Sequence, residues 1–503
     1  MSSNHTIVKN TMFMYIRMFL VMGISLYTSR VILHTLGIED YGIYQAVGGI
    51  VGFLSFLGGA LSVASSRFLA YELGTDNLEK LKETFSTLLS AHLLLAFFVV
   101  AISGIVGPWV ISNWLMLPEQ RMDAALWCFY ISILTAFFRL IIIPYNACVI
   151  AHERLSFFAY IGIVEVLIQL SVVYMLKICP CDKLVLYALL MALIQLGILL
   201  AHIYYTVKRF TETRTGLSFS KEIFKPILSF SSWSLFANGA IALNNQGILL
   251  LLGMFYSPAI VTARAISLQV NMAINQFINS IRTAVSPPIV KQYADGNADS
   301  SEHLCITSTQ YTYFLMLMVC LPVFLITPFL LELWLGDIPE YTVIFVRIII
   351  IQCLFQVFDS SLYTALYAIG RLKENALLSP LLGFIQFPMI YLLFRAGHSP
   401  VVLSWSNLIL YIVLGLIVKP VLAVKVAGYD WRNLYFMYQK CLIVTLTVLP
   451  IPMYLYWTLE MSSWKANIEV AVITLIISVL CIYSIGLDRV MKNKVQAYIR
   501  NHF

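Results

Sequence analysis

Long apolar runs broken by short polar stretches dominate the chain. A membrane-spanning helix needs about 20 mostly apolar residues, and fourteen segments meet that rule: roughly 10–36, 41–70, 84–111, 122–146, 157–178, 184–207, 226–255, 258–288, 308–331, 340–369, 376–395, 400–419, 437–459 and 466–487. Each is predicted to be helical, because hydrocarbon offers no partner to an open backbone N–H or C=O. The first segment is too long for a cleavable leader, carries Arg17 and Arg30, and has no small-residue cleavage site. Polar connections are short. The longest, 208–225, contains Thr211-Glu212-Thr213-Arg214-Thr215-Gly216 and reads as a turn-prone linker between two halves.

The halves repeat one another. Pro108-Trp109-Val110 followed by Trp114-Leu115 returns as Pro328-Phe329-Leu330 followed by Trp334-Leu335. Tyr145-Asn146-Ala147 leading to Arg154-Leu155 returns as Tyr363-Thr364-Ala365 leading to Arg371-Leu372, and Leu36-Gly37 as Leu252-Gly253. The expected organisation is an N-terminal six-helix lobe (1–207), the linker (208–225), a C-terminal six-helix lobe (226–419), two further spans (420–487) and a basic tail (488–503). Six is even, so the two lobes share one orientation and are expected to enclose a cavity.

Composition agrees with this picture and excludes others. The chain of 503 residues is 60% hydrophobic and 11% charged, where a soluble protein carries about 25% charged residues. That is too little charge to coat a soluble enzyme, a disordered scaffold or a nucleic-acid binder, so no nucleic acid is expected as a partner. The class is an all-α polytopic membrane protein of about 14 transmembrane helices. Basic residues set its orientation. With a cytoplasmic N-terminus, 19 Lys and Arg fall in inside segments, Lys419, Lys425 and Arg432 among them, against 5 outside. Both termini are therefore expected in the cytoplasm.

Eight basic residues remain inside spans: Arg17, Arg30, Arg67, Arg139, Arg264, Arg282, Arg347 and Lys440. Charge in the bilayer costs several kcal/mol unless it faces water or a partner, which makes these positions the best functional pointers. Seven of the eight are Arg, the side chain whose planar fork suits bidentate phosphate binding. Arg264, Asn271, Asn275 and Arg282 follow a spacing of 7, 4 and 7 residues; at ~100° per residue they lie within about 40° of one line on the eighth span. The seventh span adds Ser231, Ser234, Asn238 and Asn245, and the tenth Gln352, Gln356, Asp359 and Tyr363. The second span presents Gln45, Gly48, Gly52, Ser55, Gly59, Ser62 and Ser66, a stripe suited to close helix packing. The expected substrate-binding groups are Arg17, Arg30, Arg264, Asn271, Asn275 and Arg282. Asp359, Glu165 and Arg139 are candidates for ion coupling or for an ion pair inside the membrane. The eight His are dispersed and the nine Cys lie mostly in apolar runs, so no metal cluster, nucleophile–base pair or cofactor site is expected, and the protein is not expected to be an enzyme.

Leu36-Gly37-Ile38-Glu39-Asp40-Tyr41-Gly42-Ile43-Tyr44, the doubled lobe, and the connection Leu73-Gly74-Thr75-Asp76-Asn77 after the second span resemble the polysaccharide-unit flippases of the Wzx type. These belong to the multidrug/oligosaccharidyl-lipid/polysaccharide (MOP) exporter superfamily, which also holds MATE extruders and lipid II flippases. Ser257-Pro258 replaces the commoner Gly in the second copy of the motif. The resemblance implies a carrier in the plasma (inner) membrane of a bacterium. Its cargo would be an undecaprenyl-diphosphate-linked oligosaccharide for lipopolysaccharide or capsule synthesis, moved outward by alternating access. Membrane lipids, and a glycan polymerase with its chain-length machinery, are the implied partners. Arg17, Arg30, Arg264 and Arg282 match the cationic positions such carriers use for the lipid head. A MATE-type antiporter and a lipid II flippase share the architecture and stay open; a glycan polymerase or ligase fits less well for want of a large external loop.

Overall fold

The computed structural model describes residues 21–496 apart from Ser55, Asp76, Leu372, Glu460, Ser462, Val490, Lys494 and Val495. Arg17 and the end of the basic tail lie outside the described residues. Among these residues the chain is helical throughout, with no strand. The helices are α1 (Val21–Leu36), α2 (Ile38–Leu54), α3 (Phe56–Gly74), α4 (Leu78–Trp114), α5 (Met122–Ala151), α6 (Leu155–Ile178), α7 (Lys183–Arg209), α8 (Lys221–Ala242), α9 (Ile248–Phe255) and α10 (Pro258–Ala294). They continue as α11 (Ala298–Leu325), α12 (Thr327–Leu335), α13 (Thr342–Ile369), α14 (Lys373–Arg395), α15 (Val402–Val413), α16 (Lys419–Ala427), α17 (Trp431–Val448), α18 (Pro450–Thr458) and α19 (Trp464–Cys481). Wide π-turns join α8 to α9 (Leu243–Gly247) and α15 to α16 (Leu414–Val418).

Every segment predicted to cross the membrane coincides with helix in its described part. Among the described residues eleven stretches are long and apolar enough to span, corresponding to segments three to seven and nine to fourteen. The first two segments meet at Gly37, where α1 and α2 bend by 114°. That bend takes φ to +87°, open to Gly and costly for other residues. Segment eight, α10, has 37 residues but too little hydropathy to pass the same test, because the polar line of Arg264 to Arg282 runs along it. The molecule is a multi-pass membrane protein.

Packing divides the chain into two compact units, one running to Ala265 together with Gly383–His398, the other comprising Ile266–Leu382 and the chain from Ser399 on. In the first unit α5 is central, touching α2, α3, α4 and α7 around Ile43, Val47, Cys128 and Phe129, all 0% exposed. The motif after α1 has a physical reading here. A Cβ on Gly42 would stand 1.9 Å from the Pro258 carbonyl oxygen, so only Gly admits that approach. Thr262 Oγ1 donates to the Ile38 carbonyl at 2.6 Å, securing the same contact. Asp40 receives Arg121 Nε and Nη2 at 2.8 and 2.6 Å, while Arg121 Nη1 meets Asp182 at 2.5 Å. Burial works to raise the Asp182 pKa, but the Arg121 hydrogen bond and the backbone N–H groups of Val185 and Leu184 hold it below the ordinary value. In the second unit α13 is central, packed on α11, α15 and α16, with α17 and α19 against α11.

The 208–225 connection is firmer than a turn-prone linker. It holds a 3₁₀ turn, Thr211–Arg214, that buries Glu212 and Thr213. Ser86 on α4 donates to the Gly216 carbonyl and receives the Ser218 N–H, both at 2.6 Å, and Thr87 receives the Ser220 N–H. The repeated Leu-Gly pair also behaves differently in its two copies. Gly37 breaks the chain between helices, whereas Gly253 lies inside α9, where its missing side chain admits Leu115 and Ala46.

Candidate functional site

The polar line of α10 begins in the first unit and continues in the second. Arg264 belongs to the first, where it is buried at 4% exposure. Asn271, Asn275 and Arg282 belong to the second. Asn275 Nδ2 donates to Asn271 Oδ1 at 2.8 Å, so one amide orders the other one turn earlier. Asn271 Oδ1 also receives the Cys353 thiol at 3.4 Å. One turn and more beyond, Arg282 lies 5.8 Å from the centre of the Tyr363 ring. Arg30, on α1, is half-buried.

Around Tyr363 the second unit builds a charged cluster that the sequence reading did not assemble. Lys419 Nζ stands 3.2 Å from Asp359 Oδ1, and their side chains are 3% and 22% exposed. The same ammonium donates to Asn375 Oδ1 and faces the Tyr363 ring at 5.4 Å. Tyr363 therefore presents its π-system to two cations, Arg282 and Lys419. Each such contact is worth about 0.5–2 kcal/mol, more as water is excluded. Lys419, expected in an inside segment, lies within a helix with its side chain buried. The helix does not end there but restarts after the π-turn and runs to Ala427, about 12 Å further on. The visible signal was Gly415 and Pro420 flanking the lysine. Pro420 donates no N–H to the turn before it, and Gly415 approaches α13 so closely that a Cβ would lie 2.7 Å from the Phe355 carbonyl oxygen.

Other polar positions are used for packing. Gln356 Nε2 reaches Tyr411 Oη at 3.5 Å, and Gln352 is buried, so the tenth-span stripe faces the neighbouring helix. Gly52 and Gly59 lie against Gln246 and Asn238 of the seventh segment, as the small-residue stripe requires, whereas Gly48 has nothing within 4 Å. The π-turn shifts the register there, leaving Asn245 exposed while Asn238 bonds to Ser234. Arg139 Nε donates to Gln195 at 3.2 Å, and Glu165 receives Gln169 at 3.3 Å. Arg347 donates to the carbonyls of Phe324 and Leu325 and to Tyr456 Oη, closing the last turn of α11. Arg67 lies 4.5 Å over the Phe230 ring, and Lys440 pairs with Asp488 at 2.5 Å.

The structure also groups three side chains that the sequence reading left apart. Cys148, His152 and Glu212 bring their ligand atoms within 4.8 Å of one another. Sequence inspection missed the group because the carboxylate comes from a 3₁₀ turn 60 residues beyond the histidine.

A family described as polysaccharide biosynthesis protein matches residues 7–294, more than half of the chain. The chain belongs to that family. The matched region includes all of α10 and stops at its last residue. No curated protein matches it. Among solved structures it is similar to the lipid II flippase MurJ in an inward closed conformation, at 11% identity and a TM-score of 0.72, covering 94% of this chain and 99% of that one. It is also similar to an inward-facing multidrug resistance MATE family transporter of the MOP superfamily, at 16% identity and a TM-score of 0.66, covering 82% and 99%. A eukaryotic MATE transporter matches at 13% identity and a TM-score of 0.60, over 86% and 98%. At these identities the likeness is one of fold, and it agrees with the MOP-superfamily resemblance read from Leu36–Tyr44 and the doubled lobe.

Proposed function

We propose that this protein flips an undecaprenyl-diphosphate-linked oligosaccharide from the cytoplasmic to the outer leaflet of a bacterial plasma membrane, supplying surface polysaccharide synthesis. The observation that carries the reading is α10, a family-matched helix bearing Arg264, Asn271, Asn275 and Arg282 on one line. A diphosphate taken through the membrane needs cations that bind oxygen pairs, and guanidinium does this with two parallel hydrogen bonds. Asn amides donate and accept and so suit sugar hydroxyls, while the prenyl tail can remain in lipid. Arg17 and Arg30 would supply the matching cations of the first helix. Transport proceeds by alternating access, with Asp359, Glu165 and Arg139 as the groups through which an ion could couple. A MATE-type cation exporter would place acids along this line, and α10 carries none.

Complementation tests the reading. Arg264 and Arg282 are replaced separately by Ala and by Lys, membrane levels are confirmed, and surface glycan is measured with inner-leaflet lipid-linked units. Surface glycan should fall by about tenfold or more in the Ala variants, since a charged hydrogen bond is worth about 1.5–3 kcal/mol and about 1.4 kcal/mol is tenfold. Lys should recover part, because it keeps the charge and loses the fork. Full surface glycan with Ala at both positions would overturn the phosphate-binding role. Rescue of a lipid II transport defect, or of drug extrusion, in place of glycan export would reassign the cargo.

A further inference from the structure

The connection after α7 reaches a cluster that the proposed function leaves unused. Cys148 and His152 are four residues apart at the end of α5, so they share a face. The 3₁₀ turn Thr211–Arg214 lays Glu212 against that face, with its side chain 3% exposed. Glu212 Oε1 accepts the Cys148 thiol at 3.1 Å and lies 2.5 Å from His152 Nε2. Phe210 stacks flat on the imidazole, with centroids 3.9 Å apart and planes 7° apart, which fixes the direction of Nε2.

Thiolate, imidazole and carboxylate together are the donor set of zinc and of metals with similar ligand preferences. With bonds of about 2.0–2.3 Å, a tetrahedral ion holds its ligand atoms roughly 3.3–3.8 Å apart. The separations here, from 2.5 Å up to at most 4.8 Å, bracket that range. Opening the His152–Glu212 contact by under about 1 Å would admit the ion. His152 is 23% exposed, which leaves an entry path and room for water as a fourth ligand.

We propose that Cys148, His152 and Glu212 bind one zinc-type divalent cation, stapling the connection after α7 to the end of α5. On binding, the Cys148 S–H bond breaks and its proton leaves to water. The proton held between His152 Nε2 and Glu212 Oε1 is also lost to water, with the imidazole keeping its one proton on Nδ1, and bonds from sulfur, Nε2 and the carboxylate to the metal form. Thiolate and carboxylate then balance the charge of the ion, and the imidazole binds neutral through Nε2.

The test uses the full-length protein in detergent with any affinity tag removed, titrated with Co²⁺ and then competed with Zn²⁺. Wild type should take up one Co²⁺ per chain, with the visible bands of a tetrahedral site and a near-ultraviolet thiolate charge-transfer band, both erased by Zn²⁺. Cys148→Ser should abolish the charge-transfer band, and His152→Gln or Glu212→Gln should weaken binding by at least roughly 10–100-fold, the loss already caused by removing an outer partner of a ligand. Cys179→Ser/Cys181→Ser, at a half-buried and an exposed cysteine elsewhere on the chain, should leave the spectrum unchanged. Wild type that shows only the spectrum of hydrated Co²⁺ overturns the proposal without recourse to any variant. A charge-transfer band that survives Cys148→Ser, or disappears with the Cys179/Cys181 pair, overturns it as well.

Discussion

Asp359→Asn should harm the protein more than Lys419→Met does, and more than removing both members of the Lys419–Asp359 pair. At 3.2 Å the Coulomb energy is about 5 kcal/mol at an effective dielectric of ~20 and about 1.3 kcal/mol at ~80. Asp359 is 22% exposed and Lys419 3%, so the medium between them lies nearer the lower dielectric, and a coupling of about 2–4 kcal/mol follows. Asp359→Asn leaves an almost fully buried ammonium whose remaining neighbours are the Asn375 amide oxygen and the Tyr363 face. Stranding a buried charge in this way costs about 3–5 kcal/mol. Lys419→Met leaves a carboxylate with access to water and should cost about 1–3 kcal/mol, the lower end reflecting that solvation. The double variant should be less destabilised than the sum of the singles by the coupling. Unfolding of the purified protein in detergent micelles, followed by tryptophan fluorescence for all four members of the cycle, measures this. Additive singles, with a coupling below about 0.5 kcal/mol, or a milder effect of Asp359→Asn than of Lys419→Met, would refute the reasoning.

Two further outcomes concern the first unit. Gly42→Ala forces a methyl to within 1.9 Å of a backbone carbonyl oxygen, so it should lower the unfolding midpoint by the equivalent of about 1–3 kcal/mol or more. Gly48→Ala, with nothing within 4 Å, should be neutral or stabilising by up to about 1 kcal/mol. Arg121→Ala leaves Asp40 and Asp182 without their shared cation, with side chains 18% and 38% exposed; allowing for solvent screening, about 1–2 kcal/mol should be lost. Arg121→Lys should recover less than half of that, because one ammonium cannot bridge two carboxylates as the fork does. The unfolding midpoint at low and high salt checks both substitutions.

Hydropathy made most of the helices legible, since lipid imposes one backbone solution on any long apolar run. Gly52 and Gly59 were likewise readable as packing positions, because small residues at helical spacing admit a second backbone. What stayed hidden depended on long-range pairing. Lys419 looked like a boundary cation because a lysine after an apolar run ordinarily marks the membrane surface. Its burial is decided by Asp359 and Asn375, 60 and 44 residues earlier in the chain. Asn245 left its predicted face because one π-turn inserts an extra residue, and no local propensity announces such a turn. Cys148 read as a small hydrophobe for the same reason that Glu212 read as linker: each is identified by the other.

The polar groups inside the helices therefore divide by what they touch. Arg347 caps carbonyls, Gln356 bonds to Tyr411, and Lys419 is matched by Asp359. Groups satisfied in this way explain the stability of the bundle and need no cargo to justify them. Asn275 and Arg282 also have protein neighbours, Asn271 and the Tyr363 ring, but the Arg282 contact leaves the guanidinium's hydrogen-bonding fork to be met by water or a ligand, because lipid is a poor neighbour for it. α10 carries these groups over a length of 37 residues, more than the ~20 needed to cross. Packing alone would be served equally well by Ser and Thr, which cost less to bury than guanidinium. Arg at two points of a helix long enough to traverse the whole bilayer is the feature on which the proposed passage of an anion rests, and the Arg264 and Arg282 variants test it.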